Sequence, residues 1–466
     1  MISNKKRKIK IEPKSIKKLQ TQDITSFFNN SSTVNEKWII KDSLLIYQTD
    51  HMPPSDKVAC FDLDGTVITT KSGKVFPKDE HDWKINSLDA TNTDKFISKL
   101  NILYEEGYKI VIFTNQKGLL MNKKGISVDS FKRKIESILK HIFKENPCIV
   151  FVSLSNDYYR KPLIGMWNYL QNNCNDNVTI DRSKSFYVGD AAGRDSYTFM
   201  HQTVKKDFSC CDRLFAINIG LENFYTPEEY FHEQSHNVPY HLPSFNPKAF
   251  LSTFDKTLDQ NTLLLSPPDA QLVSTNKEMV MMVGFPASGK SFFVQKYFEC
   301  QNEKSHKYIR VNMDTLKSKA KCEKFCKEIL STNKIFAETE LTSMIVDNTN
   351  PDIASRKSFI DIAKNYKIPV RCFWIDTPFE QCLHNEKYRR LLQLPNFAHI
   401  NEKTNGNYGN TTLDKQHSSV PELVFRKYRT KFQEPTLEEG FKEIIKVNFI
   451  PIFQNDSQRT LYSQYL

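Results

Sequence analysis

The run Gly284-Phe285-Pro286-Ala287-Ser288-Gly289-Lys290-Ser291 constrains this chain more than any other. Two glycines, a lysine and a hydroxyl at this spacing fit a tight loop between a strand and the first turn of a helix. The flanks agree: 279–284 is an apolar run, and Phe292, Phe293 and Val294 open an apolar helix. Such a loop aims backbone N–H groups at an anion beside the helix N-terminus. Gly284, Ala287, Ser288 and Gly289 are therefore expected to wrap the phosphates of a nucleotide. Lys290 is expected to reach its β- and γ-phosphates, and Ser291 to hold Mg²⁺.

Far upstream, Phe61-Asp62-Leu63-Asp64-Gly65-Thr66 follows another short apolar run, 58–61. Here the chemistry is two carboxylates with divided labour. Asp62 is placed to attack phosphorus as a nucleophile. Asp64 is placed to protonate the leaving oxygen and then to take a proton from water. Gly65 permits the turn that presents both. A carboxylate attacking a phosphate dianion needs its charge offset, which Mg²⁺ held by Asp62, the Asp64 carbonyl and Asp190 would do. The runs 108–113 and 185–189 end at Thr114 and Asp190 in the same way. Polar residues just past the carboxyl ends of buried strands mark the site of an open α/β sheet.

These residues resemble the haloacid dehalogenase superfamily. The resemblance implies that Thr114, in Phe113-Thr114-Asn115-Gln116, binds the phosphoryl group. It implies that Lys161, in Arg160-Lys161-Pro162, stabilises the intermediate, and that Gly189-Asp190 completes the metal site.

Around the glycine-rich loop, apolar runs at 308–311, 344–346 and 370–375 read as further strands. Asp314 is the candidate general base for an acceptor hydroxyl; capping the helix at Leu316 is the alternative. Asp347 either orients metal or acceptor or stabilises a turn. Arg389, with Arg390 beside it, is either a lid arginine on the transferring phosphate or part of a solvated helix face.

A chain of 466 residues with 39% hydrophobic content has room for two cores. The fold class expected is α/β, with two doubly wound parallel-sheet domains. The divisions expected are a disordered basic arm over 1–36, a phosphatase domain over 37–250, a polar linker over 251–275 and a kinase domain over 276–466. Residues 396–419 read as an inserted disordered loop. No apolar run is long enough to span a bilayer, and with a basic rather than apolar N-terminus no secretory signal is expected. Ten scattered cysteines without a CxxC pair suit a reducing, intracellular setting. The net charge is +11, and residues 1–18 hold eight Lys/Arg against Glu12 alone, so any nucleic-acid surface on the body must be a local patch. Lys5-Lys6-Arg7-Lys8 suits nuclear import, and Ile24, Phe27 and Phe28 share one helical face in a degenerate sliding-clamp-binding box.

Both units in this order, with their surroundings, look like the polynucleotide kinase 3′-phosphatase family. The stretches that carry the resemblance are 66–77 (TVITTKSGKVFP), 160–167 (RKPLIGMW), 187–194 (YVGDAAGR), 206–210 (KDFSC), 284–291, 311–316, 347–352 and 435–441 (PTLEEGF). The resemblance implies an enzyme of DNA ends that removes 3′-phosphates and uses ATP to phosphorylate 5′-hydroxyls; the basic cluster adds the expectation of a nuclear location, and a monomer is expected. Animal members begin with a forkhead-associated domain, which the 36-residue arm is too short to hold. The lid arginine stays open among Arg389, Arg390, Arg426 and Arg429, and the acid supporting Asp190 among Asp195, Asp207 and Asp212. RNA ends, a small-metabolite phosphatase–kinase fusion and a clamp-bound scaffold are the competing readings.

Overall fold

The computed structural model describes residues 37–49, 52–87, 90–121, 126–144, 146–199, 202–232, 238–255, 264–299, 306–331, 341–394, 397 and 419–466. The basic arm, and nearly all of the stretch read as an inserted loop, lie outside them.

The first unit is built on a seven-stranded sheet with two small hairpins. In chain order its strands are β1 (Trp38–Lys41), β2 (Leu44–Gln48), β3 (Val58–Phe61), the small hairpin β4 (Ile68–Thr69) and β5 (Lys84–Ile85), then β6 (Lys109–Asn115), β7 (Cys148–Ser153), β8 (Phe186–Val188), the hairpin β9 (Tyr197–Phe199) and β10 (Gln202–Val204), and β11 (Asn223–Tyr225). The main sheet runs β1-β2-β7-β6-β3-β8-β11, parallel from β7 to β11, with β1 and β2 as an antiparallel edge. β3 and β7 are buried along their whole length, and for β3 this is why 58–61 reads as an unbroken apolar run. Alternate residues enter opposite cores. Ala59, Phe61, Ile110 and Ile112 pack with Phe131, Ile135 and Ile138 of the helix Val128–Ile142. Cys60, Val111 and Phe113 pack with Trp167 and Phe215 from helices on the other face. Strand order reverses at β3, so Asp62 emerges at the switch point between β6 and β8, where open sheets form their clefts.

The second unit repeats the plan with β12 (Leu265–Ser266), β13 (Met279–Val283), β14 (His306–Val311), β15 (Leu341–Val346), β16 (Val370–Ile375) and β17 (Glu443–Val447). Its order is β12-β17-β16-β13-β15-β14, parallel except for β12. Met279, Met281 and Val283 face one core, Val280 and Met282 the other. The central β13 delivers the glycine-rich loop to the helix Lys290–Tyr297. The expected α/β class with parallel-sheet units is what the chain adopts. No described helix is long and apolar enough to cross a membrane.

The stretch 251–275 is not simply a polar linker. The helix Pro247–Asp255 runs into it and buries Leu251, and Leu264 and Leu265 enter the second core as β12 pairs with β17. Polar neighbours hide those few apolar anchors from a composition reading. The two units meet through Leu163 of the first and Leu391, Phe397 and Leu461 of the second, all buried together.

Candidate active sites

Asp62 leaves β3 almost buried and is met by the Lys161 ammonium at 2.6 Å. Lys161 also donates to Asp212 Oδ1 at 2.7 Å, to the Phe113 carbonyl at 2.7 Å and to the Tyr187 hydroxyl at 2.8 Å. Asp62, Asp190 and Asp212 each bring a carboxylate oxygen within 4.8 Å of the others. Asp62 and Asp212 thus share one ammonium, with the Asp190 carboxylate beside them. Burial lifts the Asp62 carboxyl well above its usual range; Lys161 offsets this in part, while Asp212 and Asp190 add to it. Burial, then Asp212, pushes Asp190 up to about 7. Burial works against the Lys161 charge, but Asp212 and Asp62 outweigh it and raise its proton affinity. This excess of hard, negative oxygen donors fits Mg²⁺, with Asp62, Asp190 and the Asp64 carbonyl as the residues that would hold it.

Close approach explains the glycine of the first motif. Gly65 has φ +85°, and a Cβ there would lie 2.5 Å from Asp190 Oδ2. Asp64 points outward, its side chain 48% exposed, as an acid that must meet a leaving group requires. Gln116 donates to Asp64 at 2.6 Å and to the Thr114 hydroxyl at 2.9 Å, tying the second motif to the first. Lys134 stands 3.5 Å from the same carboxylate.

In the second unit the glycine-rich loop is strained in a specific way. Gly284 (φ +152°), Ala287 (φ +55°) and Gly289 (φ +98°) all lie at positive φ, and a Cβ on Gly284 would meet the Ile375 carbonyl at 2.7 Å. Lys290 donates to the Gly284 and Phe285 carbonyls at 2.9 and 2.5 Å and lies 3.4 Å from Ser288 Oγ. Its burial lowers the ammonium to about 8. Ser291 donates to Asp347 Oδ2 at 2.7 Å, which also accepts Arg310 at 2.7 and 2.9 Å. Asp347 Oδ1 is buried without a partner. A buried carboxylate oxygen left over beside a loop hydroxyl fits a second Mg²⁺ position, which Ser291 and Asp347 would hold.

A model described as "Polynucleotide kinase 3 phosphatase" matches residues 57–231, and one described as "AAA domain" matches 279–392. A bifunctional polynucleotide phosphatase/kinase of Schizosaccharomyces pombe is 35% identical over 441 residues, 94% of this chain and 91% of that protein. The chain belongs to this family. A putative bifunctional polynucleotide phosphatase/kinase of Acanthamoeba polyphaga mimivirus is 33% identical, covering 91% of this chain and 92% of its own length. A polynucleotide 3′-phosphatase of Arabidopsis thaliana is 32% identical over 225 residues, 46% of this chain and 29% of that protein. The chain is accordingly a phosphatase and a kinase in one polypeptide.

Against this family background, the open alternatives narrow. Of the three acids offered beside Asp190, Asp212 lies in the trio; Asp207 binds Arg194, and Asp195 binds Lys206 and His241. Asp314 is exposed in the short helix Met313–Leu316, but it does not cap it. Asn312 does, accepting from the Thr315 amide at 2.8 Å. After burial, Asp347 and Asp314 favour the Lys290 charge and Arg389 opposes it, so all three lie within electrostatic range of the ammonium. Arg389 pairs with Glu386, Arg426 with the exposed Glu422, and Arg429 lies over the Phe379 ring at 4.4 Å. Sequence pattern alone assigns no site role to Lys134, Tyr187, Gln116 or Arg310. Lys134 had a signal: it falls on the apolar stripe of Phe131, Ile135 and Ile138, where a lysine needs a partner.

Proposed function

We propose that this chain processes DNA ends, removing 3′-phosphates and phosphorylating 5′-hydroxyls with ATP so that breaks become ligatable. The observation that carries the reading is Asp62 held against Lys161 inside a carboxylate trio, on the same chain as a nucleotide loop whose Ser291 is held by Asp347. Bound Mg²⁺ would neutralise the carboxylates and the phosphate dianion.

In the first reaction, Asp62 attacks phosphorus and the bond to the 3′-oxygen breaks as Asp64 gives that oxygen its proton. Lys161 and Thr114 hold the phosphoryl oxygens. Asp64 then takes a proton from water, which attacks the aspartyl-phosphate, releasing phosphate and restoring Asp62. In the second, Asp314 takes the proton of the 5′-hydroxyl. That oxygen attacks the γ-phosphorus of ATP, and ADP leaves while Lys290 and Arg389 hold the transferring oxygens.

A polynucleotide substrate is supported by side chains that a small metabolite does not require. Phe76 and Phe208 are 78% and 106% exposed, on loops flanked by Lys74, Lys78, Lys205 and Lys206. Exposed aromatics among lysines suit unpaired bases and their backbone. Nuclear import through Lys5–Lys8 and docking of a sliding clamp on Ile24, Phe27 and Phe28 complete the proposal.

The test is a nicked duplex carrying a 3′-phosphate and a 5′-hydroxyl, incubated with ATP and Mg²⁺. Loss of the 3′-phosphate without ATP and labelling of the 5′ end with it are expected. Turnover that does not rise with oligonucleotide length would point to a metabolite enzyme. Preference for ribonucleotide ends would reassign the substrate to RNA.

A further inference from the structure

The segment 461–466 reaches each catalytic loop through one asparagine. At one end the Tyr462 hydroxyl donates to Asn385 Oδ1 at 2.7 Å, and Asn385 Nδ2 donates to the Ala287 carbonyl at 3.1 Å. Ala287 holds a left-handed backbone (φ +55°) inside the nucleotide loop, a conformation that a residue with a Cβ keeps only where its surroundings enforce it. His384, next to Asn385, stands 3.0 Å from the Tyr462 carbonyl and packs edge-on against its ring. At the other end, Asn218 accepts the Tyr465 amide at 2.8 Å and donates to the Tyr465 carbonyl at 2.9 Å and to the Pro162 carbonyl at 2.8 Å. Pro162 follows Lys161, whose own backbone is clamped by Asn115 at 3.0 and 3.1 Å. Tyr462 and Tyr465 are both buried, and Leu461 joins Leu163 and Leu391 between the two units.

We infer that residues 461–466 form a strut shared by the two active sites, in which Asn385 and Asn218 are positioning residues for the nucleotide loop and the Lys161 loop. The second unit thereby contributes to the geometry of the first unit's reaction. The inference rests on the reading of 284–291 as the nucleotide loop and of Lys161 as the phosphatase cation. Neither asparagine touches substrate; each fixes a backbone carbonyl beside a residue that does.

The test uses full-length protein, with both reactions measured on each preparation and folding checked by thermal unfolding. Tyr462→Phe removes one hydroxyl and is expected to raise KM for ATP about tenfold while 3′-dephosphorylation is unchanged. Asn218→Asp keeps the acceptor for Tyr465 but loses both donated bonds; it is expected to lower phosphatase kcat about tenfold or more with KM for ATP unchanged. Should either variant melt early, Asn385→Asp and removal of residues 463–466 test the same two arms. The crossed pattern supports the strut. Unchanged kinetics, or both activities falling together with the folded fraction, overturn it. Asp62→Asn and Lys290→Ala serve as controls. If these abolish their reactions while the strut variants show no split, the strut fails alone; if they do not, the functional reading itself fails.

Discussion

Asp62 shows how little of a catalytic residue is its own side chain. An isolated buried carboxylate would take up a proton, and it is Lys161 at 2.6 Å that opposes burial here. Asp62→Asn keeps the shape but cannot attack phosphorus, so 3′-phosphatase activity is expected to vanish while 5′-phosphorylation persists. An end-labelling assay on the folded variant checks both halves, and loss of kinase activity would refute the separation of the two sites. Lys290 offers a second measurement. Burial brings it from 10.5 to about 8, so between those values the unfolded chain binds more protons than the folded one. Its cost to stability is therefore fully present below about pH 8 and fades as pH rises toward 10.5. Phosphates placed beside the ammonium restore its proton affinity. Binding of ATP near pH 8.5 is thus expected to take up protons, read by calorimetry in two buffers of different ionisation enthalpy (roughly one per lysine recharged). Absence of uptake would place Lys290 away from the phosphates.

At the scale of elements, what the sequence shows is what the backbone alone decides. Apolar runs such as 58–61 and 279–283 are legible because a parallel strand buried on both faces has no polar position to spare. The turn after each is legible because Gly65 and Gly284 meet constraints only a missing Cβ satisfies. Side chains that reach the sites across the fold are not legible. Arg310 sits on β14 and finds Asp347 only because β14 pairs with β15. The stretch 435–441 matched its family with no reason visible in the sequence, and the structure supplies one. Glu439 caps its own turn through the Thr436 amide and accepts Arg356 Nε and Nη2, each at 2.7 Å, while Arg356 is wholly buried. Arg356 Nη1 donates to the Gln433 carbonyl at 2.9 Å, so one guanidinium ties the helix Ile353–Asn365 to the approach to β17. Glu439→Ala leaves that charge buried and unpaired and is expected to cost about 3–5 kcal/mol in urea unfolding. The double change Arg356→Met with Glu439→Leu removes the stranded charge, and most of the loss should be recovered. A single-variant loss under about 1 kcal/mol would show that water reaches the guanidinium.

Over the whole molecule, the catalytic body and the basic arm are separate problems. Every residue given a chemical role in either reaction lies between Asp62 and Arg389, and the strut lies at 461–466, whereas the densest positive charge lies in residues 1–18. Deleting 1–36 is therefore expected to leave both reactions on short oligonucleotides unchanged and to reduce nuclear retention. The arm's second element needs a finer cut. Ile24, Phe27 and Phe28 lie outside the described residues, but at i, i+3 and i+4 they would share one face of a single helical turn. Two aromatics plugging one pocket are hot-spot anchors, each costing on the order of 2 kcal/mol when truncated. Phe27→Ala with Phe28→Ala should then carry a micromolar clamp complex beyond detection while leaving both reactions and the basic cluster untouched. Calorimetry of a peptide spanning residues 17–31 against the clamp decides it. Measurable heat that the double substitution removes supports docking, and no heat from the natural peptide would leave the arm as a basic tether alone.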